Sequence, residues 1–266
     1  PDDYQVDTLD MVGEGWKQYS FTGYDSVFHV AGIAHSDSGK ITAEKSEQYY
    51  RINTDLAIET GKKAKQEKVK QFIFMSSIIV YGNSAALGED KIITLETEPS
   101  PSNSYGDSKL QAELGLRTLQ NDDFSVCILR PPMIYGKGCK GNYKRLAKLA
   151  KKTPIFPNYR NQRSMLYIGN FVEFVRLLIS NQERGVFFPQ NSEYVCTSEL
   201  VKIVAAAHGK KVHMTTSFNH IISYLNGKIE VFDKVFGNLT YDESLSQYKT
   251  NYNLKNFEQS IRETEL

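Results

Sequence analysis

Tyr105 and Lys109 stand four positions apart in Tyr105-Gly106-Asp107-Ser108-Lys109. On a helix, positions i and i+4 share a face, so a phenol and an ammonium group can enter one cleft together. A free tyrosine, with a pKa of about 10, is a poor base at neutral pH, and a neighbouring cation lowers that pKa. Upstream, Ser77 follows the apolar run Phe72-Ile73-Phe74-Met75. Such a run reads as a buried parallel strand, and its carboxyl end is where open α/β sheets bind ligands. A serine hydroxyl, a phenol and an ammonium placed together suit proton transfer at an alcohol or ketone while a hydride moves.

The elements that must position these groups can be read in order. Tyr4 to Asp10 alternates like a strand and ends in an acid, and Trp16 to Phe21 reads as a short strand. Asp25 to Gly32 is expected to be another strand, with Ala31-Gly32 allowing close backbone approach to a ligand. Gly39-Lys40 marks a loop, and Glu44 to Gln66 is expected to be helical. Val69 to Ser76 is the strand before Ser77. Asn83 to Ser104, with Pro99 and Pro101, reads as a loop over the site. Ser104 to Gln120 is the helix carrying Tyr105 and Lys109, and Ser125 to Arg130 the next strand. From Tyr135 the pattern changes. Gly136, Gly138 and Gly141 make a flexible loop, and Asn142 to Lys152 is a basic amphipathic helix whose cations read mostly as a solvated face. Phe171 to Ser180 and Thr197 to His208 are apolar helices, and Leu239 to Glu265 has the mixed composition of a small closing lobe.

Four segments in this order carry a resemblance: Val27-Phe28-His29-Val30-Ala31-Gly32-Ile33-Ala34-His35, the strand leading to Ser77 and Val80-Tyr81-Gly82, Tyr105 to Lys109, and Leu129-Arg130-Pro131-Pro132-Met133-Ile134-Tyr135-Gly136. Together they resemble the extended short-chain dehydrogenases/reductases, in the NAD-dependent nucleotide-sugar epimerase/dehydratase branch. The resemblance implies an α/β fold: a Rossmann-like, doubly wound, mostly parallel sheet with a smaller C-terminal substrate-binding lobe. Residues 1–135 would bind NAD, and residues 136–266 would mainly form the substrate lobe, with some segments returning to the first unit. Ser77, Tyr105 and Lys109 would be catalytic. Ser77 is preferred to Ser76 because the family's catalytic Ser/Thr sits four residues before the tyrosine of Val-Tyr-Gly. Asp10, Ala31, Gly32, Ile33, Ser76, Tyr105, Lys109 and Pro131 would contact the cofactor, NAD or alternatively NADP. Asn53, Ser77, Asn142 and Arg163 would contact the nucleotide sugar. Arg163 fits a diphosphate because a guanidinium can bond two phosphate oxygens at once.

Departures from the pattern narrow the reaction. Sugar-nucleotide 4,6-dehydratases carry an Asp-Glu pair after the catalytic Thr, whereas Ile78 and Ile79 stand here. The decarboxylating branch expects a glutamate near the catalytic Ser/Thr, and none lies there. A 4-epimerase of a UDP-hexose or UDP-N-acetylhexosamine is therefore expected, working through a 4-keto intermediate. A 4-ketoreductase of a deoxysugar nucleotide is the alternative. A non-catalytic dinucleotide-binding homologue is a reading of another class, and the intact Ser77, Tyr105 and Lys109 set speaks against it.

The chain has 266 residues, 40% of them hydrophobic and 24% charged, with a net charge of +1. This balance gives no reason to expect nucleic acid or a membrane as a partner. No run approaches the roughly 18 apolar residues of a membrane span. His29 and His35 do not have the spacing of a zinc site, and no metal is expected. Cys127, Cys139 and Cys196 form neither a metal pattern nor an even disulfide set, so a reducing cytoplasm is expected. The resemblance implies a homodimer. It also implies a glycine-rich first β-α unit before Tyr4, which the sequence does not contain. Since that unit's backbone N–H groups hold the cofactor pyrophosphate, poor NAD binding and weak activity are expected of the 266-residue chain.

Overall fold

The computed structural model describes residues 4–34, 42–224, 233 and 235–266. The readings made for His35 and for the Gly39-Lys40 loop lie outside the described residues.

Four parallel strands form the central sheet: β1 (Ser26–His29), β2 (Gln71–Met75), β4 (Ser125–Leu129) and β8 (Gly185–Phe187), in the order β1-β2-β4-β8. The short β3 (Ile92–Ile93) lies outside it. β2 and β4 are inner strands, apolar on both faces, and successive side chains take opposite sides. Phe72, Phe74, Val126 and Ile128 pack on one side, against Ala57 and Ala64 of helix α2 (Leu56–Gln66) and Ala112 and Leu116 of α3 (Ser104–Arg117). Ile73, Cys127 and Leu129 pack on the other, against Phe171, Phe174 and Leu178 of α5 (Ile168–Ser180). α1 (Ala43–Tyr49) runs into α2 through a π-helical segment, Tyr50–Asp55. This is the Rossmann-like α/β arrangement that the sequence implies.

The second cluster is built from α4 (Asn142–Ala150), α6 (Thr197–Ala207) and α8 (Phe257–Glu265), packed with two small parallel pairs. These pairs are β5 (Met133–Tyr135) with β7 (Met165–Tyr167) and β6 (Ile155–Pro157) with β9 (His213–Thr215). Its core includes Tyr135, Tyr143, Val201, Phe257 and Ile261. A short helix, α7 (Asn219–Tyr224), follows β9.

Three expectations are corrected. Tyr4 to Asp10 is not a strand: it runs as coil, with Val6 78% exposed, and its Tyr4 hydroxyl hydrogen-bonds Ser180 of α5. Alternation lets a segment pair but does not supply a partner, and β1 ends the sheet among the described residues. Trp16 to Phe21 is not a strand either. It begins in a 3-10 turn, Gly15–Gln18, between Gly13 and Gly23, both at positive φ (73° and 91°). Its buried Trp16 and Phe21 anchor it beside α2, where the Phe21 amide donates to the Glu67 carboxylate. Finally, Asn83 to Ser104 is not coil throughout, because β3 pairs in parallel with β10 (Thr240–Tyr241). The remaining helices and strands lie where the sequence puts them, with ends that differ by a few residues, as in α5, which begins at Ile168 rather than Phe171.

Candidate active site

Ser77 stands just past β2, where the chain leaves the sheet. The Ser76 amide donates to the Leu129 carbonyl (2.7 Å) and the Ile78 amide to the Pro131 carbonyl (3.0 Å), so the turn is tied to the end of β4. Ser77 caps a 3-10 segment, Ile78–Tyr81, accepting from the Ile79 amide at 3.3 Å. α3 begins against that segment. Asn103 caps it by accepting from the Gly106 amide at 2.9 Å. A Cβ at Gly106 would lie 2.8 Å from the Ile79 carbonyl oxygen, so the glycine after Tyr105 permits the close approach. A hydrogen bond then links the Ser77 hydroxyl and the Tyr105 phenol. The Tyr105 ring leans on Tyr49, with centroids 5.9 Å apart.

Lys109, one turn further, is 4% exposed. Its Nζ donates to the Met75 carbonyl (2.8 Å) and lies 4.8 Å from the centre of the Phe74 ring. Burial lowers its pKa to about 8, partly opposed by the Glu113 charge. Burial also pushes the Tyr105 phenol above its ordinary value, with the Ser77 hydrogen bond pulling it back and Tyr49 adding to the rise. This corrects the expected direction. The lysine points its donor at Met75, and loss of hydration is the largest influence on the phenol.

Beside Lys109, Asn53 is fully buried in the π segment, a kind of irregularity frequent at functional sites. Its side chain accepts from the Ile33 amide (2.8 Å) and donates to the Ile33 carbonyl (3.0 Å) and Ser108 Oγ (3.1 Å). It thus pairs with the loop after β1 as a neighbouring strand would. A Cβ at Gly32 would lie 2.9 Å from Asn53 Oδ1 and 3.2 Å from Lys109 Nζ, so the bare Gly32 backbone borders the lysine. His29, at the end of β1, stacks on Phe72 and Phe74, and its Nε2 has no hydrogen-bond partner among the described residues. Burial, aided by the Lys109 charge, lowers its pKa to about 3, which leaves it neutral.

The structure therefore brings Ser77, Tyr105, Lys109, Asn53, Gly32 and Ile33 to one end of the sheet, with Ala31 on the same loop and Pro131 buried beside the serine turn. The other candidates lie differently. Ser76 donates to the Glu113 carboxylate. Asp10 is exposed and accepts from the Val12 amide at 3.0 Å. Asn142 is exposed at the first position of α4. Arg163 is half-buried, its Nη1 donating to the Gly237 carbonyl (2.8 Å) and Ser84 Oγ (3.2 Å), and burial lowers its pKa to about 10. Among the described residues, no three His, Cys, Asp or Glu side chains converge as a metal site.

Sequence reasoning missed a buried ion pair under the site. Arg130 grips Glu113 through Nε (3.0 Å) and Nη2 (2.5 Å) and donates from Nη1 to the Tyr81 hydroxyl (2.6 Å). Glu113 lies four residues after Lys109, so its place on the same helix face was available as a signal.

A parallel α/β sheet with a serine, a tyrosine and a lysine gathered at the carboxyl end of an inner strand defines a short-chain dehydrogenase/reductase type of protein. The model of the NAD dependent epimerase/dehydratase family matches residues 4–188, and the chain belongs to that family. It is 32% identical over 227 residues to a UDP-glucose 4-epimerase of Vibrio cholerae, a match spanning 82% of this chain and 68% of that protein. It is 33% identical over 172 residues to an N-acetyl-alpha-D-glucosaminyl-diphospho-ditrans,octacis-undecaprenol 4-epimerase of Escherichia coli O157:H7, covering 62% of this chain and 49% of that one. Among solved structures, a UDP-glucuronic acid 4-epimerase from Bacillus cereus in complex with NAD superposes with a TM-score of 0.67. That match has 18% identity and covers 91% of this chain and 72% of the other. A dTDP-4-dehydrorhamnose reductase from Clostridium acetobutylicum also gives 0.67, at 17% identity, over 90% and 79% of the two chains. At these identities the structural likeness speaks for the fold. No helix among the described residues is long and apolar enough to cross a membrane.

Proposed function

We propose that the protein is an NAD-dependent nucleotide-sugar 4-epimerase that works through a 4-keto sugar. The observation that carries this reading is the joint placement of Ser77, Tyr105 and Lys109 at the β2 end, in a chain whose sequence relatives include UDP-glucose 4-epimerase. The residues fit the nicotinamide and ribose end of the cofactor. The bare backbone at Gly32 beside Lys109 leaves room that a side chain would fill, and Asn53 fixes Ile33. Lys109 and Tyr105 would hold the ribose, and Ala31 to Ile33, with Pro131 across the turn, would border the ring. When bound, the nicotinamide supplies reversible hydride acceptance at the sugar carbon.

The chain's own part is proton handling. Tyr105 takes the proton of the sugar 4-hydroxyl as that carbon is oxidised, and Ser77 hydrogen-bonds the same oxygen. After the 4-keto sugar turns in the site, Tyr105 returns the proton as the opposite face is reduced. Proton and hydride both return, so the net change is inversion at one carbon. The Ser77 hydrogen bond is what favours the deprotonated phenol that the first step needs, against the effect of burial.

The second lobe is the proposed sugar-nucleotide platform, with Asn142 exposed at the start of α4. Arg163 would offer the donors not already taken by Ser84 and Gly237 to a diphosphate. Uridine diphosphate is the favoured carrier, and a polyprenyl diphosphate is the other diphosphate among the relatives. A homodimer in the cytoplasm is the expected form, consistent with three free cysteines. The test is incubation with UDP-glucose, UDP-N-acetylglucosamine and a short polyprenyl diphospho-N-acetylglucosamine, each with NAD. A 4-epimer from one of them supports the proposal. Turnover of a 4-keto sugar only, consuming stoichiometric NAD(P)H, would replace it with the reductase reading.

A further inference from the structure

Beneath the catalytic candidates lies a polar unit closed off from solvent. Glu113 is fully buried on α3 and Arg130, just past β4, is 5% exposed. The pair reaches out on every side. Ser76 donates to Glu113, Arg130 donates to the Tyr81 hydroxyl, and the Tyr241 hydroxyl donates to the Arg130 carbonyl at 2.7 Å. The Arg130 guanidinium also lies 5.1 Å from the Tyr81 ring centre and 5.8 Å from that of Phe188. Ser76 sits between Met75, whose carbonyl holds Lys109, and Ser77, which meets Tyr105.

We propose that Glu113 and Arg130 form a positioning unit that clamps the Met75–Ser77 turn to α3 and supplies the negative charge Lys109 faces. A buried carboxylate-guanidinium pair is not needed for stability, because apolar residues of similar volume often serve as well or better. Its use here is geometric and electrostatic. Through Ser76 the carboxylate fixes the turn that presents both the lysine's acceptor and the serine hydroxyl. The same carboxylate favours the ammonium form of Lys109 against the effect of burial. The other groups facing Lys109 do not do this. His29 from β1 is neutral, Asn53 from the π segment is uncharged, Tyr105 on α3 is a phenol, and Arg130 and Arg117 are cations on Glu113. The proposal rests on reading Lys109 and Tyr105 as the acid–base pair.

The test compares variants of the full chain by kcat against pH and by NMR titration of the Lys109 ε-methylene, assigned by its loss in Lys109→Arg. Glu113→Gln should lower kcat by about tenfold or more. It should also move the alkaline limb of kcat and the Lys109 midpoint to lower pH by about half a unit or more. The sign follows because losing the carboxylate makes the ammonium easier to deprotonate. Glu113→Asp keeps the charge, so the midpoint should stay while kcat falls. Should Glu113→Gln fail to fold with Arg130 left unpaired, Glu113→Gln/Arg130→Met removes both charges and should still shift the midpoint downward. Ser76→Ala should reduce kcat with the midpoint unchanged. A folded Glu113→Gln or double variant with a wild-type midpoint would overturn the electrostatic half, and a wild-type kcat in Ser76→Ala would overturn the clamp. Tyr105→Phe, run alongside, separates the two readings. Full activity there would sink the site assignment itself, whereas the NMR midpoint would still report on Glu113.

Discussion

The turn after β2 and the segment before β1 make an instructive contrast. Around Ser77 every group is held from several sides: two backbone bonds to β4 and its following turn, a capped helix start, and a buried ion pair below. Before β1 the described residues follow no ladder, Val6 and Val12 are 78% and 84% exposed, and Asp10 accepts from the Val12 amide in its own turn. The difference teaches where proton-transfer geometry can be kept. Catalytic groups tolerate little displacement, and here they sit just past an inner strand and on the helix packed against that turn. Residues proposed for the cofactor are divided: Gly32 and Ile33 are braced by Asn53, whereas Asp10 has no such brace.

Four outcomes would break or sharpen this contrast. The largest concerns the braced side. Tyr105→Phe keeps the ring but removes the proton acceptor, and turnover should fall by roughly two to four orders of magnitude with NAD binding retained. Near-normal turnover would mean that the braced turn is not where chemistry occurs.

Next, Phe74→Ala removes a fully buried ring that packs the core and lies against Lys109, and should destabilise the fold by about 3–5 kcal/mol in denaturant unfolding. A loss under 1 kcal/mol would show the inner strand to be less constrained than its packing indicates.

The third outcome is a pH effect at the β1 end. His29 has its pKa lowered to about 3, against about 6.5 when unfolded. Between those values the unfolded chain binds the extra proton and the folded chain does not, so stability falls as pH drops from 6.5 toward 3. His29→Leu should flatten that part of the stability profile, and an unchanged slope would assign it to other groups.

The smallest effect is expected on the unbraced side, where Val12→Ser should change stability by no more than about 0.5 kcal/mol. A larger loss would mean that Val12 is covered in a way its 84% exposure does not show.

The sequence made the braced side legible and much of the other side not. β2, α3 and β4 announce themselves by apolar runs and by the i, i+4 pair, because both their faces are covered by their own neighbours. Tyr4 to Asp10 and Trp16 to Phe21 also have suitable patterns, but a strand needs a partner, and glycine turns with an anchored tryptophan won instead. The β3–β10 pair joins segments nearly 150 residues apart and has no local signal. Lys109 and Ser77 were readable as site candidates. The carbonyl that holds the lysine, the arginine that pairs with Glu113 and the burial that raises the phenol appear only in three dimensions.

The central claim is inversion at one sugar carbon without net oxidation. It is tested most directly with UDP-glucose deuterated at C4, incubated with the protein and NAD and followed by NMR. The account predicts UDP-galactose that keeps its C4 deuterium, with a hydroxyl proton exchangeable with water. A product that loses the label to solvent, or no 4-epimer at all while a 4-keto sugar is reduced by added NADH, would contradict it.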